Sequence, residues 1–265
     1  MAKRKQETPE KSEKFDKKLI GKAFLMCLWV AASVIAVQFL LAYLMLWTLG
    51  AEKLSQPVWT AVYSAISYVL AMGLIIFVPP KIATKKKTKS KTLPQKVSRE
   101  ELGLRDLPTW TDIGLGPVGF IASTILAAGL VGLFSLFPWF NAEEAQDVGF
   151  SLFMNGGDRV IAFLTLVVIA PIAEEIIFRG WLYGKIRALF HNKMPEQYCT
   201  LLSIFIVSLL FGIVHLQWNV GVNVFALSVV LCALREITGT IYAGILTHMI
   251  KNGVAFYLIY VLGLG

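Results

Sequence analysis

A chain of 265 residues that is 56% hydrophobic, with a mean hydropathy of +0.66, lies well outside the range of soluble domains, about 45–50% apolar. Its apolar runs are long enough to cross about 30 Å of hydrocarbon as helices and lack the alternation of barrel strands. The net charge of +8 is no nucleic-acid signal, because it sits in short segments between apolar runs. The fold expected is all-α, a polytopic transmembrane helical bundle of about seven spans. The first covers 23–49 and the second 57–78, followed by Pro79-Pro80 and a lysine-rich linker. The third runs 111–137, the fourth 159–190, the fifth 198–216, the sixth 220–235 and the seventh 240–262. This divides the chain into a basic tail (1–22), an N-terminal hairpin (23–79), a basic linker (80–110) and a membrane region (111–265).

Lys and Arg are concentrated in residues 1–22, in 81–105, and at Lys185, Arg187 and Lys193, whereas the 138–158 connection carries Glu143, Glu144, Asp147 and Asp158. The positive-inside rule therefore places the N-terminus and the basic connections in the cytoplasm of a cell membrane, and alternation places the C-terminus opposite. KKKTKSK (Lys85 to Lys91) is expected to touch anionic headgroups. The N-terminal polar stretch and the long apolar run after it do not fit a cleavable signal. Cys27, Cys199 and Cys232 are too scattered for a disulfide framework or a CxxC metal site, and Cys27 and Cys232 read as small buried hydrophobes. GLGPVG (Gly114 to Gly119) spells a dinucleotide fingerprint but contains Pro117 and follows no strand. Close helix packing is the better use of its glycines.

The chemistry lies in the fourth, fifth and seventh spans. Glu174 and Glu175 sit inside IAFLTLVVIAPIAEEIIFRGWL, where each charge costs about 2.5–3.5 kcal/mol on insertion scales. Glu175 and Arg179 are four apart, on one helical face, and can form an ion pair. Glu174 has Phe178 at that spacing and no cation, so it is the better candidate for a general base. FGIVH puts Phe211 and His215 on one face, and HMIKN does the same for His248 and Asn252. The third histidine, His191, lies in the polar connection HNKMPEQ and carries no functional reading.

Glu174 and His215 are 17 and 18 residues from that connection, roughly 26 Å at 1.5 Å per residue. They therefore share a height on an antiparallel pair. His248 is nine residues from the turn at Arg235 to Gly239, about 14 Å. All three motifs then meet inside the cytoplasmic leaflet if the fourth and fifth spans project about 12 Å beyond it. On the same count Gln217, Trp218, Asn219 and Asn223 fall near mid-membrane, which suggests a water-containing cavity. Lys251 is expected to snorkel or pair.

These residues resemble a known family. EEIIFR fits Glu-Glu-x-x-x-Arg, FGIVH fits Phe-x-x-x-His and HMIKN fits His-x-x-x-Asn, in the order seen in the CPBP intramembrane proteases, the group of type II CAAX prenyl endopeptidases and bacteriocin-processing (Abi-type) proteins. The resemblance covers about 155–258. It implies an intramembrane endopeptidase in which Glu174 and His215 activate water and His248 and Asn252 stabilise the oxyanion. Glu175, Arg179 and Phe211 would support them. Two readings of the cofactor stay open: none, or one divalent metal such as zinc on Glu174, Glu175, His215 and His248. The HExxH zinc signature is absent, as are GxSxG and GxGD motifs, and the metal-free reading is preferred. The partner implied is a membrane-anchored or lipidated peptide, in a home that is prokaryotic by chain length. The rivals are an ion- or proton-coupled transporter, for which no inverted repeat is found, and a catalytically idle immunity or scaffold protein.

Overall fold

The computed structural model describes residues 17–80, 97–105, 107–142, 150 and 156–263. Residues 1–16 of the basic tail, the Lys85–Lys91 run, and Glu143, Glu144 and Asp147 lie outside the described residues. Helix α1 (Lys17–Leu49), a single turn α2 (Ala51–Leu54) and α3 (Pro57–Phe77) form an antiparallel hairpin. Its bend is at Gly50, whose φ of 79° only glycine adopts without strain. Four helices follow: α4 (Trp110–Phe134), the long α5 (Gly156–Phe190), α6 (Glu196–Ile213) and α7 (Trp218–Thr238). The last, α8 (Tyr242–Phe256), continues as a π-helical turn, Tyr257–Val261.

Among the described residues there is no strand, and six helices are long and apolar enough to cross a membrane. The chain is an all-α, multi-pass helical bundle. The seventh predicted span exists as α8, whose α-helical part, Tyr242–Phe256, has 15 residues and is shorter than the six. Large apolar side chains such as Phe39, Trp47 and Ile125 face outward, as a hydrocarbon solvent favours. The buried faces of α1, α3 and α4 are built instead by small and medium residues. In α1 these are Ala23, Met26 and Val30, a helical stripe that faces the core containing Trp181, Phe190 and Phe211.

Helix α4 shows how its glycines act. Thr109 caps it by accepting from the Asp112 amide while Asp112 accepts from the Thr109 amide, so two orphan donors are satisfied reciprocally. Asp112 also accepts from Thr240 at 2.8 Å, which ties the start of α4 to the α7–α8 corner. One and two turns on, a Cβ at Gly116 would lie 2.5 Å from Leu246 and one at Gly119 2.5 Å from Thr247. The Thr247 hydroxyl donates to the Gly116 carbonyl at 3.0 Å. Gly116 and Gly119 thus let α8 lie against α4, while a Cβ at Gly114 would meet nothing within 4 Å.

At the other end of α7, the α6–α7 turn departs from expectation. Helix α6 stops at Ile213, and Leu216 takes a left-handed φ of 58°. Trp218 packs on Trp139 with ring centroids 6.0 Å apart, beyond the C-terminus of α4. The turn therefore lies at that end of the bundle, and the mid-membrane placement of Gln217 to Asn223 is corrected. The count failed because it let the fourth and fifth spans project about 12 Å beyond the membrane, whereas Arg187 joins Glu196 at the start of α6 to Glu236 at the end of α7.

The opposite end is tied by polar side chains. Tyr183 donates to Glu236 at 2.6 Å, Arg187 pairs with Glu236 at 2.9 Å, and Arg187 also pairs with Glu196. Residues 97–105 cross this end, where the Ile241 amide donates to the Gly103 carbonyl at 3.2 Å.

Gly119→Val should destabilise the protein by about 1–3 kcal/mol through overpacking, while Gly129→Ala, with nothing within 4 Å of its added Cβ, should cost nothing. Thermal unfolding in detergent micelles measures both, and equal effects would contradict the packing role of Gly119.

Candidate active site

The site begins with an irregular helix. Two π-helical stretches, Leu164–Ile169 and Ile176–Leu182, flank the α-helical segment Ala170–Glu175 within α5. Such insertions recur at functional sites because they rotate the residues that follow and free backbone groups. Here Pro171 supplies a local reason. The Ala170 amide donates five residues back, to the Thr165 carbonyl. Proline has no N–H, so it cannot serve the carbonyl of Leu166, five residues before it. That acceptor is taken by Asn252 of α8, whose Nδ2 donates to Leu166 at 2.9 Å. One residue of the third motif therefore docks on the gap beside the first motif.

Glu174 and Glu175 end the segment between the two π stretches, and their partners differ. Glu175 is fully buried and accepts from Arg179 at 2.9 Å and from His248 Nδ1 at 3.1 Å, both on Oε1. Arg179 is buried too, and its guanidinium carbon stands 4.3 Å from the centre of the Phe211 ring. A stacked cation of this kind gains electrostatic energy from the ring face. Gly244 permits the approach of α8, since a Cβ there would be 3.1 Å from Glu175 Oε2. Glu174 is partly accessible, at 17% of its side chain, and no Lys or Arg ion pair is found for it among the described residues. Its Oε1 accepts from the Tyr68 hydroxyl at 2.8 Å, and its Oε2 lies 3.8 Å from His248 Nε2.

His248 thus stands between the two carboxylates, with one ring nitrogen toward each. Phe211 is the hub beneath them. Its ring meets Phe178 at 4.9 Å, His215 at 5.0 Å and His248 at 6.0 Å, all edge-on. His215 lies just past the end of α6 rather than within it. Its Nδ1 is 2.7 Å from the carbonyl of Phe211, one of the carbonyls that a helix end leaves unpaired. A carbonyl only accepts, so Nδ1 carries the proton and Nε2 keeps its lone pair. Glu174, His248 and Lys251 are ionisable neighbours of His215.

Every residue predicted for the site therefore falls in one region. Glu174, Glu175, Arg179, Phe211 and His248 are in direct contact, His215 joins through Phe211, and Asn252 joins through the backbone of α5. Tyr68 is the residue that sequence reasoning missed. A single tyrosine in an apolar helix, 106 positions from its partner, carries no spacing signal.

Among the described residues no cluster of three or more His, Cys, Asp or Glu side chains is arranged to hold an ion. Oε1 of Glu175 is committed to Arg179 and His248.

Glu175→Ala should lower stability by about 3–5 kcal/mol, since it leaves a buried guanidinium without its counter-charge. Arg179→Lys should recover only part of that pairing, because an ammonium cannot both reach Glu175 and stack on Phe211. Urea or thermal unfolding of the purified variants checks this, and wild-type stability for Glu175→Ala would contradict the pairing.

Residues 156–254 match the family model described as type II CAAX prenyl endopeptidase Rce1-like. Comparison with curated proteins and with solved structures returns no match. Every residue of the three motifs lies inside the matched region, and Tyr68 lies outside it. Over residues 156–254 this chain carries the Rce1-like domain of the CPBP family of intramembrane proteases.

Proposed function

We propose that the chain hydrolyses a peptide bond in a membrane-anchored peptide, with Glu174 and His215 activating the attacking water. The observation that carries this reading is the divided use of the two carboxylates around His248. Glu175 is paired with Arg179, whereas Glu174 accepts from a phenol, which carries no positive charge. An anionic oxygen without a cation on it is able to take a proton. His215, with Nδ1 held by a carbonyl, offers Nε2 as a second acceptor for the same water.

In this reading water loses a proton to the Glu174–His215 pair as its oxygen attacks the scissile carbonyl, and the carbonyl oxygen becomes an oxyanion. The proton then passes to the leaving amine as the C–N bond breaks. His248 donates Nδ1–H to Glu175, so its Nε2 serves as an oxyanion donor only when the ring is charged. Asn252 spends one Nδ2 hydrogen on Leu166 and has a second to give. Removing one oxyanion donor typically costs about 2.7–4 kcal/mol.

The reading is metal-free and places the end of the bundle with Lys185, Arg187 and Arg235 in the cytoplasm. The substrate is a membrane-anchored or lipidated peptide that reaches Glu174 from within the bilayer.

The test is cleavage of a panel of membrane-anchored peptides, prenylated and unprenylated, by wild type and His215→Ala in liposomes. Wild type should cleave at least one, with His215→Ala slower by about 10²- to 10⁴-fold. A strong chelator should leave the wild-type rate unchanged. Equal rates for the two proteins would sink the role of His215, and loss of activity with chelator restored by zinc would sink the metal-free scheme.

A further inference from the structure

The two adjacent glutamates differ in one respect that the family motif does not contain. Glu175 is held by a cation and a histidine from within the matched region. Glu174 is held by Tyr68, which α3 delivers from outside it. We propose that Tyr68 is a positioning residue of the protease site and that the N-terminal hairpin is therefore part of the active site. This rests on the reading of Glu174 as the base.

The local sequence explains how the phenol arrives. Helix α3 buries the small residues Ala61, Ser67 and Ala71 and packs on α5 through all the segments from Leu164 to Leu182. Tyr68, at the edge of that small-residue face, extends its ring toward α5 and ends on Glu174 Oε1. The Tyr63 hydroxyl, by contrast, donates to the Gln38 carbonyl of α1 at 3.1 Å, a bond internal to the hairpin.

The chemistry explains why a phenol suits the position. A glutamate side chain has several rotamers, and ordering it costs conformational entropy. A hydrogen bond to an ionised acceptor is stronger than one between neutral groups. Tyr68 fixes Oε1 and leaves Oε2 on the His248 side, 3.8 Å from Nε2. Because the donor is neutral, the carboxylate charge is not cancelled. A lysine or arginine in its place would do to Glu174 what Arg179 does to Glu175.

Wild type, Tyr68→Phe, Glu174→Asp and the double variant, compared in liposomes on the same cleaved peptide, test the assignment. Tyr68→Phe should lower kcat by about 10- to 100-fold with KM within about twofold, the signature of an interaction used in the transition state. In the Glu174→Asp background, where the shorter side chain has already left the phenol, Tyr68→Phe should cost less than about threefold more. Wild-type kcat, a change confined to KM, or fully additive losses would overturn the proposal. A second readout needs no activity: the Glu174 carboxyl band in the infrared, identified by its loss in Glu174→Gln, should shift in Tyr68→Phe. An unmoved band overturns the contact. Difluorotyrosine placed at position 68 supplies the same infrared comparison if the phenylalanine variant does not fold. If wild type cleaves no peptide the protease reading falls, while the infrared result still decides the contact.

Discussion

The buried ion pair between Glu175 and Arg179 is the constraint on which the rest of the site depends. An unpaired charge at this depth is among the most costly groups a membrane protein can carry. The pair solves that locally, one helical turn apart, and then recruits the other helices. Arg179 stacks on Phe211 and so fixes α6, and His248 donates to Glu175 and so fixes α8. The charged pair is thus the point where α5, α6 and α8 are brought into register. A hydrophobic substitute of the same volume would pack but would give neither the cation for Phe211 nor the acceptor for His248.

Helix α5 achieves this by departing from regular geometry on both sides of the glutamates. The π-helical stretch before them, with Pro171 beyond it, leaves the Leu166 carbonyl for Asn252. The stretch after them carries Arg179 back beneath Glu175. A backbone gap that would be a defect in an isolated helix becomes a docking point for α8. His215 follows the same logic at the end of α6, where it uses a terminal carbonyl of its own helix to set its tautomer. In each case an orphan backbone group orients a side chain of the site.

Much of this was legible in the sequence because bilayer helices have few ways to hold charge. The helix boundaries followed from apolar composition to within a few residues for most spans. The pairing of Glu175 with Arg179 followed from spacing alone. The end of α6 did not, because Leu216 reverses the chain with a positive φ and no glycine or proline marks the turn. The depth of Gln217 to Asn223 was missed for another reason, the assumed projection of the fourth and fifth spans, which the link from Glu196 through Arg187 to Glu236 removes. The contact of His248 with both carboxylates was only half legible: matched heights implied proximity but could not say which nitrogen met which oxygen. Tyr68 was not legible at all. Its meaning depends on how the hairpin packs against α5, and packing among apolar helices leaves no periodic trace.

The central claim is that Glu174, unlike its neighbour, is the group that takes the proton from water. Glu174→Gln keeps the shape of the side chain and an oxygen to accept from Tyr68, but removes the charge and turns the second acceptor into a donor. The account predicts that this variant unfolds like wild type and cleaves a bound membrane-anchored peptide about 10²- to 10⁴-fold more slowly in a single turnover. A single-turnover rate equal to that of wild type would contradict it.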